Sequence, residues 1–190
     1  MAAFDFFRRI LRNVPAQEAA DPAAGDATGP APAPAGAPLI ERRRGERVDA
    51  REGLRVLIID DSATVVATLG RMLRQNHFDT AGAGDAETGI AFARAERPDL
   101  IFLDIVLPGI DGFSALRKLR RDEATRDVPI IMISGNAQAT EQFYVQRIGA
   151  DDFMKKPFSR AEVFSRIEHL LDEQGVPRHA SRRIEAAATS

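Results

Sequence analysis

The stretch VLIIDDSATV, residues 56–65, decides how the chain folds. Val56 to Ile59 form a continuous apolar run of the kind found in strands covered on both faces, as in a parallel sheet. The run ends on two adjacent carboxylates, Asp60 and Asp61. Ser62 follows as a plausible helix N-cap. Val65, Val66, Leu69, Met72 and Leu73 then repeat at helical spacing. A strand is thus followed by an acidic turn and a capped helix, and the question is why charge is aimed at the end of so hydrophobic a run.

The same alternation continues outward to residue 172. LRVLIID (54–60), DLIFLD (99–104) and VPIIMIS (128–134) are short apolar runs, and DTAGA (79–83) and DDFM (151–154) are shorter strand candidates. Phe113, Leu116 and Leu119 mark one helical stripe. Val163, Phe164, Ile167, Leu170 and Leu171 mark another, after SRAE (159–162), which has capping-box spacing. Less apolar helical patterns cover 86–96 and 138–147. The expectation is an α/β fold over residues 54–172, a doubly wound five-stranded parallel sheet flanked by five helices with right-handed crossovers.

Composition limits the function. Net charge is −2, which argues against a nucleic-acid binder driven by bulk charge. With no cysteine there is no disulfide framework, thiolate nucleophile or cysteine zinc site, and a reducing, cytoplasmic setting is expected. No apolar run approaches the ~18 residues needed to span a bilayer. The N-terminus lacks the pattern of a secretory signal.

Flanking segments differ in character. In FDFFRRILRNV (4–14), Phe4, Phe6, Phe7, Ile10, Leu11 and Val14 fall within one arc of about 160° on a helical wheel, opposite Asp5, Arg8, Arg9 and Arg12. Residues 1–14 therefore read as a short amphipathic segment for a membrane surface, placing the protein at the periphery of the inner membrane, or for a protein groove. An unstructured tail that happens to sort well is the alternative. Residues 15–38, rich in Pro, Ala and Gly, read as a disordered linker reaching roughly 30 Å as coil and about 70 Å if polyproline-like. Residues 39–53 are a charged approach in which Arg42, Arg43 and Arg44 are either solvated or a basic contact patch. Residues 173–190 read as a mobile tail.

In an open parallel sheet, ligands bind beyond the carboxyl ends of the strands. Asp60 and Asp61 close the first strand, Asp104 the third and Ser134 the fourth, while Lys156 follows the fifth. If the sheet forms, these groups converge. Two carboxylates at ~4 Å repel by about 1 kcal/mol in water and about 4 kcal/mol at an effective dielectric near 20, so three need a cation or a proton. Carboxylate oxygens suit Mg²⁺, whereas His77, His169 and His179 lie in helical segments or the tail, away from the strand ends. A dication with Lys156 would cradle a phosphoryl group, Asp104 could attack it, and Ser134 could donate to one of its oxygens. Each residue also has an ordinary reading: Asp61 as a helix-start charge, Asp104 as a turn residue, Ser134 as loop chemistry, Lys156 as a surface lysine.

VLIIDDS, DLIFLDIVLPGIDGF, PIIMISG and GADDFMKKPF together resemble the receiver domain of two-component response regulators, of CheY-like or flavodoxin-like fold, over about residues 54–172. The resemblance implies that Asp104 is the phosphorylated aspartate, accepting its phosphoryl group from a sensor histidine kinase or a phosphotransfer protein. It implies that Asp60, Asp61, Asp104 and the Val106 carbonyl hold Mg²⁺, that Ser134 and Lys156 bind the phosphoryl group, and that Lys156–Pro157 is cis. Phe153 stands at the aromatic switch position, without the hydroxyl many members carry there; a plain core phenylalanine is its other reading. The resemblance implies that Val106 and Asn136 occupy positions that tune phosphoryl lifetime. Phosphorylation would repack the face formed by the 138–147 helix, the last strand and the last helix.

Three functions compete. The first is a stand-alone response regulator that catalyses only its own phosphorylation and dephosphorylation and signals by protein contact to a downstream target, as in chemotaxis, motility or a phosphorelay. Only 18 residues follow residue 172, too few for a DNA-binding output domain. An aspartate-nucleophile hydrolase would place a second acid two residues after Asp104, where this chain has Val106. A phosphorylation-independent interaction module tethered by its N-terminal segment is the third, and the complete set of acidic, hydroxyl and lysine positions argues against it.

Overall fold

The computed structural model describes residues 50–135 and 149–179. Five parallel strands, β1 (Arg55–Ile59), β2 (Asp79–Ala83), β3 (Leu100–Asp104), β4 (Ile130–Ser134) and β5 (Asp152–Lys155), form one sheet in the order β2-β1-β3-β4-β5. Four helices accompany them among the described residues: α1 (Ala63–Arg74), α2 (Ala86–Glu96), α3 (Gly112–Arg121) and α4 (Arg160–Glu168). The most apolar runs occupy the interior, with every residue of β3 and β4 buried. The edge strands β2 and β5 are more polar and partly exposed.

Side chains of each strand alternate between two cores. On one face Leu57, Ile59, Ile101, Leu103, Ile130 and Met132 pack under Ile90 and Phe92 of α2 and Leu116 and Leu119 of α3. On the other, Val56, Ile58, Phe102, Ile131 and Ile133 pack under Leu69 and Leu73 of α1 and Val163 and Ile167 of α4. Burying each such side chain contributes about 1.5–3 kcal/mol before entropy is counted. Each helix starts on a side-chain cap: Ser62, Asp85, Asp111 and Ser159 accept the N–H of Val65, Thr88, Ser114 and Glu162 respectively. α2 comes close to β1 at Gly89, where a Cβ would lie 2.5 Å from Ile59 Cδ1 and the isoleucine would have to shift.

Several expectations shift. Five helices were expected; the described residues carry four, and the 138–147 segment lies outside them. Residues 1–49, with the amphipathic segment, the linker and most of the charged approach, also lie outside, as do residues 180–190. The last helix ends at Glu168, so Leu170 and Leu171 lie beyond its C-terminus. His77 sits after α1 in a left-handed conformation (φ 63°), not within a helix.

Residues 173–179, expected within a mobile tail, fold back instead. Leu171 pairs antiparallel with Pro177, the Arg178 N–H donates to the Leu170 carbonyl at 2.8 Å, and Val176 is buried among the α1/α4 core residues. Asp172 organises the turn, accepting the N–H groups of Gln174 and Val176 and pairing with Arg178 Nε at 2.7 Å. The Arg51 N–H donates to the Gly175 carbonyl, so the residues entering β1 and this strap meet at the amino end of the sheet.

Candidate functional site

Because all five strands are parallel, their carboxyl ends share one edge. Ile59 pairs with Leu103, which sets Asp60, the next residue, beside Asp104 on the adjacent strand. Asp104 pairs with Ile133, so Ser134 stands one residue further along. Ser134 pairs with Lys155, and its carbonyl accepts the Lys156 N–H at 2.7 Å. Register alone thus brings the five sequence candidates to one pole.

Side chains complete the gathering. Carboxylate oxygens of Asp60, Asp61 and Asp104 all lie within 4.8 Å of one another. Asp60 and Asp104 are 1% and 3% exposed, Ser134 is buried, and Asp61 faces solvent. Lys156 Nζ bridges the two buried acids, 2.7 Å from Asp60 Oδ2 and 3.0 Å from Asp104 Oδ2. The Lys156–Pro157 peptide is cis, as the resemblance implies. Asp60 Oδ1 accepts the Ser62 N–H at 3.0 Å, so the acid and the helix cap are held together.

The charges do not balance. With all three carboxyls ionised the pocket would carry two negative charges more than its one ammonium balances. Burial raises the Asp104 carboxyl above its ordinary value; the hydrogen bond from Lys156 opposes this and the charge of Asp60 adds to it. For Lys156, burial alone would lower the pKa, but the hydrogen bonds and charges of Asp60 and Asp104 outweigh it and the amine is raised. Asp104 Oδ1 is buried without a hydrogen-bond partner among the described residues. Such an atom costs about 1–3 kcal/mol or more unless something meets it. An all-oxygen cluster with one orphaned buried oxygen, one exposed carboxylate and a two-charge deficit fits a hard divalent cation such as Mg²⁺.

Of the remaining candidates, Val106 lies just past Asp104 with its side chain 67% exposed. Phe153 pairs with Met132 and packs half-buried against the α2/α3 core, a position its core reading describes. Asn136 lies outside the described residues.

Gly112 is a residue to which the sequence reading attached no role. A Cβ on it would sit 2.0 Å from the Asp104 carbonyl oxygen, and its N–H donates to the Ile105 carbonyl at 2.9 Å. Only glycine lets the first turn of α3 close against the backbone of Asp104. The signal was the glycine between the cap Asp111 and the apolar stripe starting at Phe113.

A doubly wound sheet with an acid–hydroxyl–lysine pocket at its carboxyl edge defines the CheY-like class of α/β signalling domains. The family model of the response regulator receiver domain matches residues 56–168, more than half of the chain, and the chain belongs to that family. It is 36% identical over 117 residues to protein PilH of Pseudomonas aeruginosa, covering 62% of this chain and 97% of PilH. It is 38% identical over 117 residues to the DNA-binding dual master transcriptional regulator RpaA of Synechocystis, covering 62% of this chain and 48% of RpaA. Among solved structures, a CheY-like receiver domain protein of Methanospirillum hungatei superposes with TM-score 0.59 at 27% identity, covering 65% of this chain and 97% of that one. The receiver domain of the sensor histidine kinase PA1611 of Pseudomonas aeruginosa, solved with magnesium in its active-site cleft, superposes with TM-score 0.54 at 32% identity, covering 58% and 91%.

Proposed function

We propose that this receiver accepts a phosphoryl group on Asp104 in a Mg²⁺-dependent reaction and signals by changing its contacts with a protein target. The observation that carries the reading is the pocket itself: three carboxylates within 4.8 Å, two of them buried and bridged by one lysine. An Asp104 oxygen would attack the phosphorus of a phosphohistidine on a sensor kinase or phosphotransfer protein. The P–O bond forms as the P–N bond breaks, and the departing imidazole nitrogen keeps the electron pair.

Bound Mg²⁺ would neutralise charge on the phosphoryl oxygens, and Asp60, Asp61, Asp104 and the Val106 carbonyl are the groups that would hold it. Lys156, fixed between two acids, holds its ammonium where a phosphoryl oxygen on Asp104 would arrive. Ser134, at the end of β4, would donate its hydroxyl to the same group. That shift, with Phe153 moving beside it, would bias the molecule between two arrangements. Val106, exposed beside Asp104, and Asn136 would set how readily water reaches the acyl phosphate. A match that spans 97% of PilH favours a stand-alone signalling role, which we place in chemotaxis, motility or a phosphorelay. A cytoplasmic location follows from a phosphohistidine donor, with the inner face of the membrane or a partner groove engaged through residues 4–14.

Acetyl phosphate with Mg²⁺ should add one hydroxylamine-labile phosphoryl group to the full chain, and none without the metal. Asp61→Ala should weaken Mg²⁺ binding while leaving the fold intact. Unchanged Mg²⁺ affinity in that variant would remove Asp61 from the site.

A further inference from the structure

At the opposite pole from the acid pocket lies a second buried polar cluster. Asp151, whose side chain is fully buried, stands at the entrance to β5. One of its oxygens, Oδ2, accepts the N–H of Ile130, the first residue of β4, and the Arg120 guanidinium, both at 2.8 Å. Arg120 also donates to the carbonyls of Gly149 (2.6 Å) and Val128 (2.7 Å). The other oxygen, Oδ1, is met by His179 Nδ1 at 2.6 Å. His179 lies beyond the part of the chain that matches the family model, at the end of the folded-back strap of residues 170–179.

The strap therefore fastens onto a carboxylate that pins the entrances of β4 and β5 together. The far ends of those two strands deliver Ser134 and Lys156 to the pocket. If Ser134 and Lys156 move toward a new phosphoryl group, any accompanying shift of the strands works against the pins at Asp151. We propose that the strap is a clasp: closed on Asp151 through His179, it opposes the phosphorylated arrangement of the pocket, and opening it favours that arrangement. Two hydrogen-bonded strands connect the poles, and the coupling must be reciprocal, so an occupied pocket loosens the strap. The proposal rests on the phosphoacceptor reading given above.

The test uses the full chain with Mg²⁺ and beryllofluoride as the phosphoryl mimic. It reads two quantities: the Kd for beryllofluoride and the exchange rate of the Arg178 amide, which is bonded to the Leu170 carbonyl. His179→Ala should speed Arg178 exchange and tighten beryllofluoride binding by about five-fold or more, the lower end of typical coupling between sites. Asp172→Ala loosens the same strap from its turn without touching Asp151, and should act in the same direction. In the unsubstituted chain, beryllofluoride should speed exchange at Arg178. Faster exchange with unchanged or weaker binding in both variants overturns the clasp, as does unchanged exchange in both. Failure of the unsubstituted chain to bind beryllofluoride would instead overturn the phosphoacceptor reading, and the clasp with it.

Discussion

Asp104 is costly to ionise where it sits. Burial raises its carboxyl above the ordinary value of 3.8, against the pull of Lys156 and with the help of Asp60. A carboxyl whose folded-state pKa is raised contributes stability at low pH, and that contribution is lost as pH rises through the folded value. At neutral pH the ionised group therefore costs stability. We expect Asp104→Asn to melt at a higher temperature than the unsubstituted protein at pH 7 without divalent metal. The difference should narrow as pH falls toward the ordinary carboxyl value. A variant that melts lower at neutral pH would contradict this electrostatic account. The acids, Ser134 and Lys156 were legible in the sequence because each closes or follows an apolar run. Gly112 was less so: its necessity comes from backbone approaching backbone, which no spacing of side-chain types displays.

Among the elements, legibility followed hydrophobicity. β1, β3 and β4 announce themselves as continuous apolar runs because both of their faces are covered. β5, DFMK, lies one residue later than its expected start, because as an edge strand its pattern is mixed and gives no sharp boundary. The strap was missed because its order comes from polar bonds at Asp172 and one buried valine, with no periodicity to betray them. The Arg120–Asp151 pair was equally silent, although it ties α3 to the entrances of β4 and β5. Arg120→Ala would leave the Asp151 carboxylate buried with its guanidinium gone, and should cost about 3–5 kcal/mol in denaturant unfolding. Arg126→Ala, which breaks an exposed 3.9 Å pair with Asp127, should cost about 0–1 kcal/mol. Equal costs for the two would show that Arg120 does not hold these elements together.

Across the whole molecule, the two poles divide the work. The carboxyl edge of the sheet collects charge that it cannot itself balance, while at the amino edge Asp151 is paired with Arg120 and His179. That division follows from parallel topology, which sends every strand end of one kind to one side. It was implicit in the sequence once the runs ending in Asp60, Asp104 and Ser134 were read as strands of one sheet. What the sequence withheld was the amino pole, where Arg51 meets Gly175 and Asp151 meets His179.

If this receiver is phosphorylated as proposed, the modified group is Asp104. Borohydride reduction of the acetyl-phosphate-treated full chain, followed by peptide mass mapping, tests it most directly, because reduction converts an aspartyl phosphate to homoserine. This conversion should occur at Asp104 alone and require Mg²⁺. Conversion at Asp60 or Asp61, or conversion at Asp104 that is indifferent to the metal, would contradict it.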